Sequence, residues 1–235
     1  MKVLLIADHE LRELWDHWGA LGSKRLEGVR LILSAGDIRP EYLEFLVTML
    51  NVPCLYVRGN HDGRYDQMPP EGCIDIDGKI FEAEICEPVH STDADNSEGC
   101  AYVRRIRVAG LGGSMRYSEG RDMYSEREMA SRVRRLSMRI KLGLINHSEK
   151  KHARRDASGA PVDIFLTHAP CRGYGDLGDL AHTGFSCFNR FLSDFRPKYH
   201  CYGHVHMEYA RIRRVSEHPS GTQLINVSGM YILDI

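Results

Sequence analysis

Histidine, aspartate and asparagine recur in this chain where an apolar run stops. The densest case is Tyr56-Val57-Arg58-Gly59-Asn60-His61-Asp62, where the run from Pro53 to Val57 ends in a glycine, an amide, an imidazole and a carboxylate. These residues add nothing to a core, and the glycine lets the backbone turn sharply. Other runs end in Asp8-His9-Glu10, Gly36-Asp37, Thr167-His168 and Gly203-His204-Val205-His206. Carboxylates, imidazoles and an amide oxygen suit borderline divalent cations, and there are enough of them for two ions. Two ions about 3.5–4 Å apart can share a hydroxide nucleophile and clamp a phosphate. A spare histidine could then protonate the leaving oxygen.

Polar residues scattered along a chain share a site when they sit at the carboxyl ends of parallel strands. Val3 to Ala7 reads as a buried strand, and Leu11, Leu14, Trp15 and Trp18 have the spacing of a helix over 11–21. Leu31 to Ala35 is a second apolar strand. Pro40 then opens a helix bearing Tyr42, Leu43, Phe45, Leu46 and Met49, before the third strand at 53–57. This β-α-β-α-β beginning predicts neighbouring parallel strands with right-handed crossovers.

Further on, 73–81 alternates around Asp77-Gly78, the pattern of a hairpin. Residues 85–101 lack periodicity and predict an exposed loop or an irregular strand pair, and 102–109 alternate again. Met129, Val133, Leu136, Ile140 and Leu144 predict a helix over 125–144, and 162–166 is a strongly apolar strand. A glycine- and aspartate-rich loop (173–178) precedes a helix over 185–195 with Phe188, Phe191 and Leu192 inward. Two alternating segments around Gly221 and a strand at 230–233 close the chain. Residues 1–235 contain no repeat or linker and read as one domain.

Composition excludes little. Hydrophobic content of 43%, charged content of 27% and a net charge of −1 describe an ordinary soluble protein, with no global case for a nucleic-acid or membrane partner. The first eight residues meet a charge too early for a signal peptide, and no stretch approaches a membrane span. Seven scattered cysteines without a CxxC pair fit reduced thiols in a cytoplasm, with Cys54, Cys187 and Cys201 as packing residues. The basic run from Arg132 to Arg155 reads as a solvated face; a positive rim gathering a polyanion is the alternative.

Taken in order, the five strand ends resemble the calcineurin-like metallophosphoesterase superfamily, whose pattern runs D-x-H, G-D, G-N-H-D/E, H and G-H-x-H. The resemblance covers nearly the whole chain. Gly112-Gly113-Ser114-Met115-Arg116-Tyr117 and Thr167-His168-Ala169-Pro170 look like its compact class, which includes members similar to class III cyclic-nucleotide phosphodiesterases. It implies an α/β fold, a four-layer αββα sandwich with two mixed β-sheets. Position by position, it makes Asp37 the carboxylate bridging two ions, with Asp8 and His206 on the first and Asn60, His168 and His204 on the second. His61 matches the general acid. The implied reaction is hydrolysis of phosphomonoesters or phosphodiesters, in small molecules or nucleotides, by a metal-bridging hydroxide. The implied cofactors are two divalent ions.

This sequence departs from the pattern twice. Glu10 stands where the family has the histidine of D-x-H. Side chains two apart in an extended segment point the same way, which pairs Asp8 with Glu10 and turns His9 aside. Glu10 is therefore the expected replacement ligand, tilting preference toward manganese, iron(II) or magnesium over zinc. Pro40 occupies the place of another frequent aspartate, leaving Asp62, Glu41 or a distant carboxylate to orient His61. Arg116 could bind phosphate bidentately or serve a structural ion pair. His182-Thr183-Gly184, ahead of a helix, could present backbone amides to phosphate, or Thr183 could simply cap that helix. Two competing readings remain at this level. One is a nuclease on nucleic-acid ends, resting on the basic run; the other is a non-catalytic scaffold, resting on Glu10.

Overall fold

The apolar runs at the amino terminus form parallel strands buried on both faces, in a computed structural model that describes residues 1–88, 100–144, 146–147, 161–209 and 212–235. In chain order the strands are β1 (Lys2–Ala7), β2 (Val29–Ser34), β3 (Cys54–Tyr56), β4 (Cys73–Asp75), β5 (Ile80–Pro88), β6 (Cys100–Leu111) and β7 (Ser114–Met115). They continue as β8 (Met123–Tyr124), β9 (Asn146–His147), β10 (Ile164–Thr167), β11 (Tyr199–Tyr202), β12 (Val215–Glu217), β13 (Gln223–Asn226) and β14 (Gly229–Asp234). The α-helices are α1 (Arg12–Asp16), α2 (Ser23–Arg25), α3 (Pro40–Leu50), α4 (Glu126–Lys141) and α5 (Ser186–Phe195).

Two large sheets form the centre. One has the order β14-β1-β2-β3-β4, and the other β12-β13-β11-β10-β6-β5-β9. Both are mixed: β1, β2, β3 and β4 run parallel with β14 antiparallel, and β6, β10, β11 and β13 run parallel with β5 and β12 antiparallel. Alternate residues of β1 enter different cores. Val3, Leu5 and Ala7 pack with Phe81, Val108, Ile164 and Ile225 between the sheets, whereas Leu4 and Ile6 join Leu14, Leu43 and Leu46 beneath the helices. On the far side, Met129, Val133 and Leu136 of α4 and Phe188, Phe191 and Leu192 of α5 cover Phe165 and Leu111. The layers are therefore α, β, β, α, and near-continuous apolar strands are what burial on both faces requires.

Local chemistry sets the helix ends. Pro40 starts α3, as its fixed φ favours, and Asn51 ends it with φ 50°. Ser125 and Glu128 form a capping box at the start of α4. Four of the five inward residues expected of α4 are buried, while Leu144 lies beyond its end and is exposed.

Two expectations need correction. The helix over 11–21 is broken into α1, a π-helical turn at Trp18–Gly22 and α2. The segment 73–81 is not a hairpin: β4 pairs with β3 in one sheet, β5 pairs with β6 in the other, and Asp77-Gly78 carries the chain between them. Alternation reports half-burial but not the partner, so the crossing was hidden. The irregular strand pair, one of the two readings of 85–101, is found at its ends, where β5 meets β6 with a break in register between Glu87 and Pro88; 89–99 lies outside the described residues.

Candidate metal centre

The polar ends of β1, β2, β3, β10 and β11 gather at one edge between the sheets. Asp8 N donates to Gly36 O at 3.1 Å, and Gly203 N to His168 O at 2.9 Å. Asp8, Asp37 and His204 have left-handed backbones, with φ of 63°, 57° and 68°. They are half of the six non-glycine residues in that region among the described residues. Such conformations are uncommon outside glycine, and functional sites concentrate them. The flanking glycines leave no room for anything larger. A Cβ on Gly59 would stand 2.0 Å from Asp37 Oδ1 and 2.7 Å from His168 Cε1, and one on Gly203 would stand 3.2 Å from the Asp8 carboxylate.

Asp8, Asp37 and His168 offer ligand atoms that all lie within 4.8 Å of one another. His168 is fully buried, and its Nδ1 faces Ala35 O at 2.8 Å. A ring nitrogen against a carbonyl must carry the hydrogen, which leaves Nε2 as a lone pair in the neutral ring. That nitrogen lies 3.0 Å from Asn60 Oδ1 and 3.4 Å from Asp37 Oδ2. In the neutral form three acceptors therefore face one another, an arrangement that calls for a cation. His204 is oriented the same way, its Nε2 held by Ala181 O at 2.8 Å, while its amide donates to both Asp8 carboxylate oxygens. Carbonyls behind ligand imidazoles fix tautomer and ring direction in metal sites. The donor set fits divalent cations.

The charges agree with this. Burial alone would raise the Asp37 carboxyl, but His168 and the His61 amide outweigh it and hold it at about 2. Burial would likewise press His168 down; Asp37 and Asp8 reverse this and raise it to about 9. The carboxylates thus demand positive charge at this point. His204 is pressed by burial, with His168 adding to the effect, to about 3, so it stays neutral as metal ligation requires.

Asn60, His61 and Asp62 divide their work. Asn60 is buried with its amide oxygen toward His168. His61 is exposed, its amide donates to Asp37 Oδ1 at 2.8 Å, and its side chain borders two adjoining cavities of ≈ 300 and ≈ 340 Å³. Asp62 Oδ2 accepts the amides of Gly59 (2.7 Å) and Asp37 (2.8 Å), so it ties the turns after β2 and β3 together rather than contacting the His61 ring. Burial, with Asp37 adding to it, lifts the Asp62 carboxyl to about 6. Glu41 pairs with Arg64.

Glu10 borders the same cavity as Asp8, Asp37 and His61, but it lies outside the close group of Asp8, Asp37 and His168. Its carboxylate takes the Arg39 amide (3.0 Å) and guanidinium (2.9 Å to Nε) at the rim. His9 instead lies edge-on to His206, ring centroids 4.5 Å apart. The alternation argument fails because the left-handed backbone at Asp8 ends the extended geometry on which it depends.

Arg116 is likewise turned away, toward Glu128 (2.8 Å) and the Met123 carbonyl. His182 borders the cleft beside His204, ring centroids 5.4 Å apart, with its Nδ1 on Asp179 at 2.9 Å. The first amides of α5, at Ser186 and Cys187, are taken by the Glu126 carboxylate, so neither phosphate nor Thr183 caps that helix. Thr183 Oγ1 donates to Asp179 O. Of the basic run, Arg132 bonds inward to Asp77 and Gly112 O, and Lys150 to Arg155 lie outside the described residues. Tyr117, whose hydroxyl accepts Asn60 Nδ2–H at 3.1 Å, stands in the sequence only as the end of the Gly112–Tyr117 stretch, where nothing in its spacing gives it a role of its own.

A two-sheet α/β sandwich with carboxylates and carbonyl-oriented histidines gathered at its strand ends is the architecture of a metal-dependent hydrolase. The chain belongs to the calcineurin-like phosphoesterase family, whose model matches residues 1–208. That family hydrolyses phosphoesters with divalent metal ions. One solved structure of 15% identity superposes over 99% of this chain and 94% of its own, with a TM-score of 0.58. The crystal structure of TT1561 of Thermus thermophilus is 11% identical over 97% of this chain and 89% of its own, with a TM-score of 0.49. No curated protein matches the sequence. Among the described residues, no helix is long and apolar enough to cross a membrane.

Proposed function

We propose that this chain is a dinuclear phosphoesterase acting on phosphomonoesters or phosphodiesters of small molecules or nucleotides in the cytoplasm, with manganese as its foremost metal. The observation that carries this reading is the facing of His168 Nε2, Asn60 Oδ1 and Asp37 Oδ2 across 3.0 and 3.4 Å, with no donor between them in the neutral ring. Asp37 would bridge the two ions. Asp8 and His206 would hold the first; Asn60, His168 and His204 would hold the second. His9 completes the first set in this reading, supported by its contact with His206 and by the tie between Glu10 and Arg39. When bound, the ions supply an activated water nucleophile and neutralise charge on the phosphate.

The remaining work falls to the chain. His61, exposed between the two cavities, donates a proton to the leaving oxygen. Asp62 holds the Gly59 and Asp37 turns in register, so that the ligands and the acid keep their spacing. His182, tethered by Asp179, forms the opposite wall and contacts the phosphate ester. The test is to strip the protein with a chelator, reload it with manganese, and follow a chromogenic phosphodiester and monoester. Activity lost on stripping and restored on loading is expected. Two bound ions per chain with no hydrolysis of either ester would refute the reading.

A further inference from the structure

Tyr117 sits on the loop joining β7 to β8, and that loop is pinned at both ends. Arg116 N donates to Tyr124 O and Ser114 N to Asp122 O, each at 3.0 Å. Asp66 ties the loop to the turn after His61 by pairing with both Arg121 and Arg58. The Tyr117 hydroxyl accepts Asn60 Nδ2–H at 3.1 Å, and the other end of that amide, Oδ1, faces His168 Nε2 at 3.0 Å. A tyrosine hydroxyl has one hydrogen to give as well as lone pairs to receive one. With Asn60 as the donor, the hydroxyl hydrogen is unspent, and Tyr117 borders the same cavity as His61, His204 and His206.

We propose that Tyr117 is a phosphate-binding residue that also sets the orientation of Asn60. Its O–H donates to a non-bridging phosphoryl oxygen, while its oxygen holds the Asn60 amide with Oδ1 toward the second metal position. The two roles are linked. A hydroxyl that has given its hydrogen to phosphate can only accept from Asn60, which excludes the flipped amide that would turn N–H onto a cation. Phosphate and metal binding then strengthen each other through one side chain, as any such linkage must be reciprocal. The proposal rests on the phosphoesterase reading and adds a residue that the metal-ligand pattern does not contain.

Calorimetric titrations test it with manganese alone and with inorganic phosphate on the manganese-loaded protein. The proteins compared are wild type, Tyr117→Phe, Asn60→Asp and the double variant. Tyr117→Phe is expected to weaken phosphate binding on the order of ten- to a hundredfold, the range for a hydrogen bond to a charged group. It should also weaken manganese binding by roughly tenfold, as loss of an orienting partner does. In the Asn60→Asp background both carboxylate oxygens are equivalent and need no orienting. There the Tyr117 hydroxyl must give its single hydrogen to the carboxylate, so Tyr117→Phe should cost little phosphate affinity and leave manganese affinity unchanged. Wild-type phosphate affinity in a manganese-loaded Tyr117→Phe would overturn the contact. An equal manganese loss in both backgrounds would overturn the orienting role. A wild type that binds no manganese would instead sink the phosphoesterase reading itself.

Discussion

His200 has the same side chain as the proposed ligands but the opposite environment, and replacing it isolates what burial does to an imidazole. It is fully buried in β11, stacked on Phe165 with ring centroids 5.1 Å apart and edge-on to Phe188. Thr167 Oγ1 donates to Ala169 O, so at 2.8 Å it accepts from His200 Nε2–H; His200 Nδ1 has no partner. Burial, with the charge of His218 adding to it, pushes this imidazole down to about 3, against 6.5 in the unfolded chain. A depressed folded pKa contributes stability that is complete above the unfolded value and is lost as pH falls from 6.5 toward 3. Between pH 8 and pH 5 the unfolded chain gains a proton at this position that the native state refuses, which amounts to about 2 kcal/mol. His200→Phe removes that term and suits the aromatic surroundings. Urea unfolding of the metal-free protein at both pH values gives the difference between variant and wild type, in which the other titrating groups cancel. That difference should move by about 2 kcal/mol in favour of the variant on going from pH 8 to pH 5. A pH-independent difference would refute the claim that His200 is held neutral in the native state.

Two other substitutions probe the centre directly. Gly59→Ala should weaken metal binding by at least about tenfold, because its methyl group would overlap Asp37 Oδ1 and crowd His168 Cε1. Unchanged binding in calorimetry would show that the glycine is not there for space. His9→Ala is expected to lose at least about tenfold in affinity at the first metal position, the least that losing even an orienting partner costs, whereas Glu10→Ala should leave metal affinity near wild type. Elemental analysis after loading reads both, and the reverse order would restore Glu10 as the ligand.

Much of this protein was legible in one dimension because burial follows simple periods. The continuous apolar runs at 3–7, 31–35 and 162–166 reported strands buried on both faces, and the spacing of Met129, Val133, Leu136 and Ile140 reported the inner stripe of α4. The order of polar residues at strand ends was equally visible, since parallel strands bring their carboxyl ends to one edge. What the periods do not carry is the partner of a strand or the aim of a side chain. The pattern at 73–81 is the same whether its two halves pair with each other or, as here, join different sheets. Glu10 pairs with Arg39 and His9 meets His206, contacts that alternation could not give, because the Asp8 backbone is left-handed where it bonds to Gly36 and His204. The roles of three identical imidazoles were likewise decided by distant segments. Ala35 and Ala181 present carbonyls to His168 and His204, while two phenylalanine rings enclose His200. Residue type was written in the sequence, but the field and hydrogen-bond partners that fit a histidine for ligation, or for packing, exist only after the chain has closed.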